Sequence, residues 1–177
     1  MNDYLTGEFN GTDVNVFVAT NNNKVYRIMV ADKNYISESD IKIRFNKLVS
    51  QFEKNKKYIR FSDDHTLSDE ENISFEMTVN SKRYQASYCQ VPCVAGAGSL
   101  AVSNEIASFS ASFLTSKYTA EELAELTDEE KGKLAMEALT AFASKYSVWF
   151  MIDRKYGKYG ILMYYDNGFN QSDGEDL

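Results

Sequence analysis

Hydrophobic positions recur at two periods along this chain. Val14, Val16 and Val18 alternate with Asn15, Phe17 and Ala19, and after Asn21-Asn22-Asn23 the alternation resumes at Tyr26, Ile28 and Val30. A period of two sends successive side chains to opposite faces of a strand, and asparagine tolerates the left-handed backbone of a tight turn, so this segment predicts a hairpin. Tyr4 to Asn10, ended by Gly11, predicts a strand before it. Ile73, Phe75, Met77 and Val79 alternate with Ser74, Glu76 and Thr78. With a reversal at Asn80-Ser81 and a return through Tyr84, Ala86 and Tyr88, they predict a second hairpin. Val148, Phe150 and Ile152 interleave with Trp149 and Met151, and Lys155-Tyr156-Gly157-Lys158 turns the chain back into Ile161 to Tyr165. Both faces of this third hairpin are apolar, which predicts a central position covered on both sides.

The other period is that of a helix. Ile41, Phe45, Leu48 and Phe52 recur at spacings of four, three and four behind Ser37, with Asp40 where a capping acid belongs. This helix should end near Asn55, with Lys42, Arg44, Lys47 and Glu53 toward water. Ser62 to Asn72 reads as a polar loop. After a Gly/Ala/Ser-rich stretch from Val91, Ile106, Phe109 and Phe113 fit a further helix. Thr119 with Glu122 and Thr127 with Glu130 mark two more helix starts, the second carrying Leu134, Ala135, Ala138, Leu139, Phe142 and Tyr146 inward. The expected fold is a single α+β domain over residues 1–177, an antiparallel sheet built from three hairpins and packed against amphipathic helices. It carries a helical insertion around 91–146 and a loose acidic tail at 171–177.

Composition narrows the function. A chain of 177 residues buries roughly 70% of its unfolded surface, enough for a core without staples. A net charge of −7 repels phosphate backbones and disfavours nucleic acid as a partner. The basic cluster Lys54, Lys56 and Lys57 falls where a helix ends and complements its dipole. No apolar run is long enough for a membrane span, and the first residues have neither the positive nor the apolar region of a signal peptide, so the chain as given is expected to be soluble.

Several constellations resemble sites without completing one. Gly96-Ala97-Gly98-Ser99-Leu100-Ala101 has dinucleotide-loop spacing, but the strand before it is antiparallel and the acids about twenty residues on, Glu121 and Glu122, already serve a helix start. Cys89 and Cys93 lie ~13 Å apart if extended, so a disulfide needs a turn at Pro92, and the best zinc set adds His65 and an Asp. Plain thiols are the favoured state. His65, the sole histidine, sits between Asp64 and Thr66 in an acidic loop and reads as solvated. Asp166, Asn167, Asn170, Asp173, Glu175 and Asp176 do not match calcium-loop spacing. No catalytic, cofactor-binding or metal-binding residue is assigned, and no cofactor is expected.

Ser147-Val148-Trp149-Phe150-Met151-Ile152, Gly157-Lys158-Tyr159-Gly160-Ile161, Tyr164-Tyr165-Asp166-Asn167 and Gly174-Glu175-Asp176-Leu177, together with Leu5 to Gly11 and Lys24-Val25-Tyr26, resemble a family of uncharacterised proteins common in gut bacteria. The resemblance covers most of the chain and implies no activity. It also implies an additional helical segment upstream, often behind an export signal. The shortage of catalytic side chains beside 12 Tyr and 11 Phe favours a non-enzymatic binding or assembly module, with protein or self-association through an aromatic surface or edge strand. The competing readings are an enzyme using carboxylates or Tyr without a catalytic His, and a truncated fragment of a larger exported protein.

Overall fold

The computed structural model describes residues 4–60, 67–90 and 99–171. Its strands are β1 (Leu5–Phe9), β2 (Thr12–Asn21), β3 (Lys24–Asp32), β4 (Tyr58–Arg60), β5 (Gln85–Gln90), β6 (Tyr146–Lys155) and β7 (Lys158–Asn167). They form one sheet in the order β1-β2-β3-β7-β6-β5-β4, with every neighbouring pair antiparallel. The helices are α1 (Glu38–Lys54), α2 (Ile73–Val79), α3 (Ser99–Lys117), α4 (Ala120–Glu125) and α5 (Asp128–Ser144). The fold is therefore α+β, an antiparallel sheet packed against helices.

The tight turns follow their sequences. Asn10-Gly11, Asn22-Asn23 and Tyr156-Gly157 all have positive φ at both central positions, the arrangement that matches the twist of a hairpin. The sheet register puts Phe150 opposite Met163, and Met163 opposite Val30, so one face collects Val14, Val30, Tyr88, Val148, Phe150 and Met163. Helix α1 crosses this inner face and buries Ile41, Phe45, Leu48 and Phe52 against it, each side chain contributing about 1.5–3 kcal/mol. Phe45 meets Phe150 edge-on at 5.3 Å, and Phe52 stacks on Tyr88 at 5.0 Å. Ser37 caps α1 by accepting from the Asp40 amide, and Asn55 ends it by donating its amide to Phe52 O.

Two polar residues of α1 are not where the stripe alone puts them. Lys42 is buried and donates to Asp69 O, and Arg44 turns inward to Asp32, because the chain at 67–72 and the end of β3 cover the flanks of the helix. Lys47 and Glu53 do not share this fate.

The expected second hairpin is corrected. Ile73–Val79 is helix α2, with Asn72 as its cap accepting from the Phe75 amide at 2.9 Å and Glu38 of α1 accepting from the Ile73 amide at 2.7 Å. The same residues satisfy a spacing of four, and the helix uses it by burying Ile73 completely while Phe75 and Val79 face water. Strand β5 already has β4 on one edge and β6 on the other, so the sheet offers no place for a strand here. The return strand through Ala86 and Tyr88 is present as β5.

Helices α3, α4 and α5 lie in sequence between β5 and β6, which are neighbours in the sheet. Thr119 and Glu122 form the reciprocal cap of α4, and Thr127 with Glu130 does the same ahead of α5. Helix α5 packs on α3 and on β5 and β6, burying Ala138 and Phe142. Ala135 and Leu139, expected inward, face water, since contact on one narrow side needs only a narrow stripe.

Candidate functional site: the open face of the sheet

The hairpin β6–β7 is central, as its pattern requires, but only its inner face is sealed. On the outer face Trp149, Met151, Leu162 and Tyr164 remain partly exposed, so the expectation of cover on both sides is corrected. Helix α1 occupies one face, and α5 packs chiefly on β5 and β6, on the other side of the hairpin from β2 and β3.

Across this outer face the register aligns Trp149 with Tyr164, and Arg27 with Asp166. The Trp149 and Tyr164 rings stack with centroids 4.0 Å apart and planes 11° from parallel. The Arg27 guanidinium lies 5.4 Å from the Tyr164 centroid and reaches Asp166 through Nε at 2.6 Å and a terminal nitrogen at 3.1 Å. Asp166 also accepts from Trp149 Nε1 at 3.0 Å, which ties all three layers together. Arg27's own hydrogen bond to Asp166 holds its guanidinium more firmly protonated than usual.

Beside this stack is an open trough of about 740 Å³. Phe17, Met29, Ala31 and Leu162 form its floor, and the β3–α1 connection and the β6–β7 turn form its walls. Tyr35 is the main piece of the first wall. Its hydroxyl donates to Asp153 at 2.5 Å, its ring lies beneath Lys155 Nζ at 5.1 Å, and it packs on Gly160, where a Cβ would come within 3.2 Å of the ring. Burial, and then the bond to Asp153, push the Tyr35 hydroxyl up and keep it protonated. Asp32 sits at the end of the trough as a structural anion, accepting from Arg44 at 2.7 and 3.0 Å and from the Ile161 amide at 2.8 Å. Asn15 Oδ1 is buried in the lining without a hydrogen-bond partner among the described residues.

Other recesses are accounted for by packing. Phe109, Phe142, Tyr146 and Phe169 line one of about 450 Å³, but neighbouring rings in this group touch at 5.3–5.9 Å and staple α3 and α5 to the end of β7. Cys89 is buried on β5, and desolvation raises its thiol pKa, which favours the protonated form. Among the titrating tyrosines, burial and then the bond to Glu71 hold Tyr84 well above the ordinary range, while burial takes Tyr88 and Tyr165 to about 12. The carboxyls with resolved shifts, Glu71, Glu122 and Glu130, are all lowered, each chiefly by a hydrogen bond.

The residues weighed from sequence alone are scattered. Asp166 is held by Arg27 and Trp149, Asn167 accepts from the Phe169 amide, and Asn170 donates to Val25 O, so these three are engaged within the chain. Glu122 caps α4. His65, Cys93, Gly96, Gly98, Asp173, Glu175 and Asp176 lie outside the described residues. Among the described strands no pair is parallel, so the sheet lacks the β-α-β context of a dinucleotide loop. Among the described residues no helix is long and apolar enough to cross a membrane. The trough itself was missed, although Tyr156 in a two-residue turn and the doubly apolar β6–β7 were signals for it. Compared with known protein families, curated proteins and solved structures, the chain matches none.

Proposed function

We propose that the protein is a non-enzymatic binding module that takes its partner on the open face of the sheet, in and beside the trough. The observation that carries this reading is the partly exposed apolar face of the central hairpin, Trp149, Met151, Leu162 and Tyr164, running into the trough floor at Phe17 and Met29. A contiguous apolar face left in water forgoes about 25 cal/mol per Å² of available burial, a loss recovered when a partner covers it. The ion pair and stack around Asp166 fix the side chains beforehand, which lowers the entropy cost of binding. Among the described residues, the tyrosines with resolved shifts move up and the carboxyls with resolved shifts move down, so none of these groups is tuned toward neutrality as a general acid or base would be.

A thermal-shift screen of small-molecule, glycan and peptide libraries tests the reading. Compounds that stabilise the wild type should lose their effect on the Phe17→Ser/Met29→Gln variant and keep it on Ile43→Ser, a change at an exposed position of α1. Bound compounds should be recovered unchanged. Stabilisation that survives the trough substitutions, or chemical conversion of the bound compound, would overturn it.

A further inference from the structure

The trough differs from the rest of the molecule in charge. The chain carries a net −7, yet the lining presents Lys33, Lys155 and Lys158 against the single carboxylate of Asp32. Arg44 already neutralises Asp32 through two contacts. Lys155 is 3.6 Å from Asp153 of the neighbouring wall, while Lys33 and Lys158 make no ion pair among the described residues. Three lysines thus border an apolar floor on an otherwise acidic protein.

The wall holds a second, independent sign. Two-residue hairpin turns favour Asn, Asp or Gly at their first central position, because that residue adopts positive φ. The other two turns obey, with Asn10 and Asn22, but β6–β7 places Tyr156 there at φ 51°. The Tyr156 side chain is fully exposed and buries nothing within the chain. A bulky residue held in a costly conformation without a packing reward points to a contact outside the chain. Tyr156 and Tyr35 together line the trough at its lysine-bearing end.

We infer that the trough binds a small amphiphilic organic anion, an apolar or aromatic body lying on Phe17, Met29 and Leu162 between the two tyrosines, with one acidic group held by Lys33, Lys155 and Lys158. This inference rests on the binding-module reading and supplies the ligand's chemical class.

Two fluorescent probes isolate the charge. 1-Anilinonaphthalene-8-sulfonate and N-phenyl-1-naphthylamine share a skeleton and an N–H, and differ in the sulfonate. Titrated into the wild type, the sulfonate should bind at least about tenfold more tightly than the neutral probe, and decanoate should displace it. The Lys33→Gln/Lys158→Gln variant, which leaves the Tyr35–Asp153–Lys155 wall intact, should erase most of that advantage, and so should raising salt from about 50 to about 500 mM. Tyr156→Asn should weaken both probes several-fold. Equal affinity for the two probes, an unchanged double-lysine variant, or no binding of either overturns the inference. If the probes bind equally and Phe17→Ser abolishes both, the binding-module reading survives without the anion. If Phe17→Ser leaves both bound, that reading falls as well.

Discussion

Replacing Tyr156 by asparagine should make the protein more stable. For an L-residue the left-handed region costs roughly 1–2 kcal/mol, and asparagine recovers part of this through local hydrogen bonds. Tyr156 sits there at φ 51°, and its ring is fully exposed, so truncation forfeits no burial to offset the relief. The neighbouring Gly157, at φ 73°, already suits the second position and stays unchanged. The expected gain is about 0.5–1 kcal/mol, or ~1–4 °C in Tm for a chain of this size. Urea titration followed by circular dichroism gives the free energy, and an unchanged m-value confirms that the unfolded state is comparable. Tyr156→Phe, which keeps the strain and the ring, should leave stability as it is. A loss of more than about 0.5 kcal/mol in Tyr156→Asn would refute the reasoning, because the ring would then be packing on its own chain and need no outside partner.

Three further outcomes follow from the packing. Arg44→Ala strands the Asp32 carboxylate, which is 3% exposed, with the Ile161 amide as its remaining donor among the described residues, and should cost about 3–5 kcal/mol in denaturant titration; a cost below about 1 kcal/mol would show that the pair is structurally idle. Gly160→Val drives a side chain into the Tyr35 ring, 3.2 Å from where the first carbon would stand, and should cost ~1–3 kcal/mol and displace that wall of the trough, as a crystal structure of the variant would reveal. Glu71 has a folded-state pKa depressed below its ordinary 4.5 by Lys82 and then Tyr84, so its stabilising contribution is complete at neutral pH and disappears as pH falls from 4.5 through the lower folded value. Glu71→Gln should therefore flatten the acid limb of the stability curve, and parallel curves for variant and wild type would contradict the assignment.

Local signals placed most of the elements because they are physically local. Ser37 and Asn55 bracket α1, the asparagine turns set the first two reversals, and the threonine–glutamate spacing starts α4, all through contacts within a few residues. Ile73–Val79 defeated that logic. Its apolar residues fit periods of two and of four together, and the choice fell to the occupied edges of β5 and the Glu38 carboxylate waiting for the Ile73 amide. Lys42 and Arg44 read as solvated because their partners, Asp69 and Asp32, come from elements that the helix pattern does not contain.

The amino-acid sequence by itself determined that strands and amphipathic helices would share one antiparallel architecture, and that β6 and β7, apolar on both faces, would sit at its centre. Only the tertiary structure decided that β3 pairs with β7, which brings Phe17 and Met29 alongside Leu162 and leaves the outer face open. It also gathered Lys33, just past β3, with Lys155 and Lys158 at the facing ends of β6 and β7 beside that floor. Periodicity records which side chains leave water, whereas the pairing of strands distant in sequence depends on long-range contacts that no window of the chain encodes.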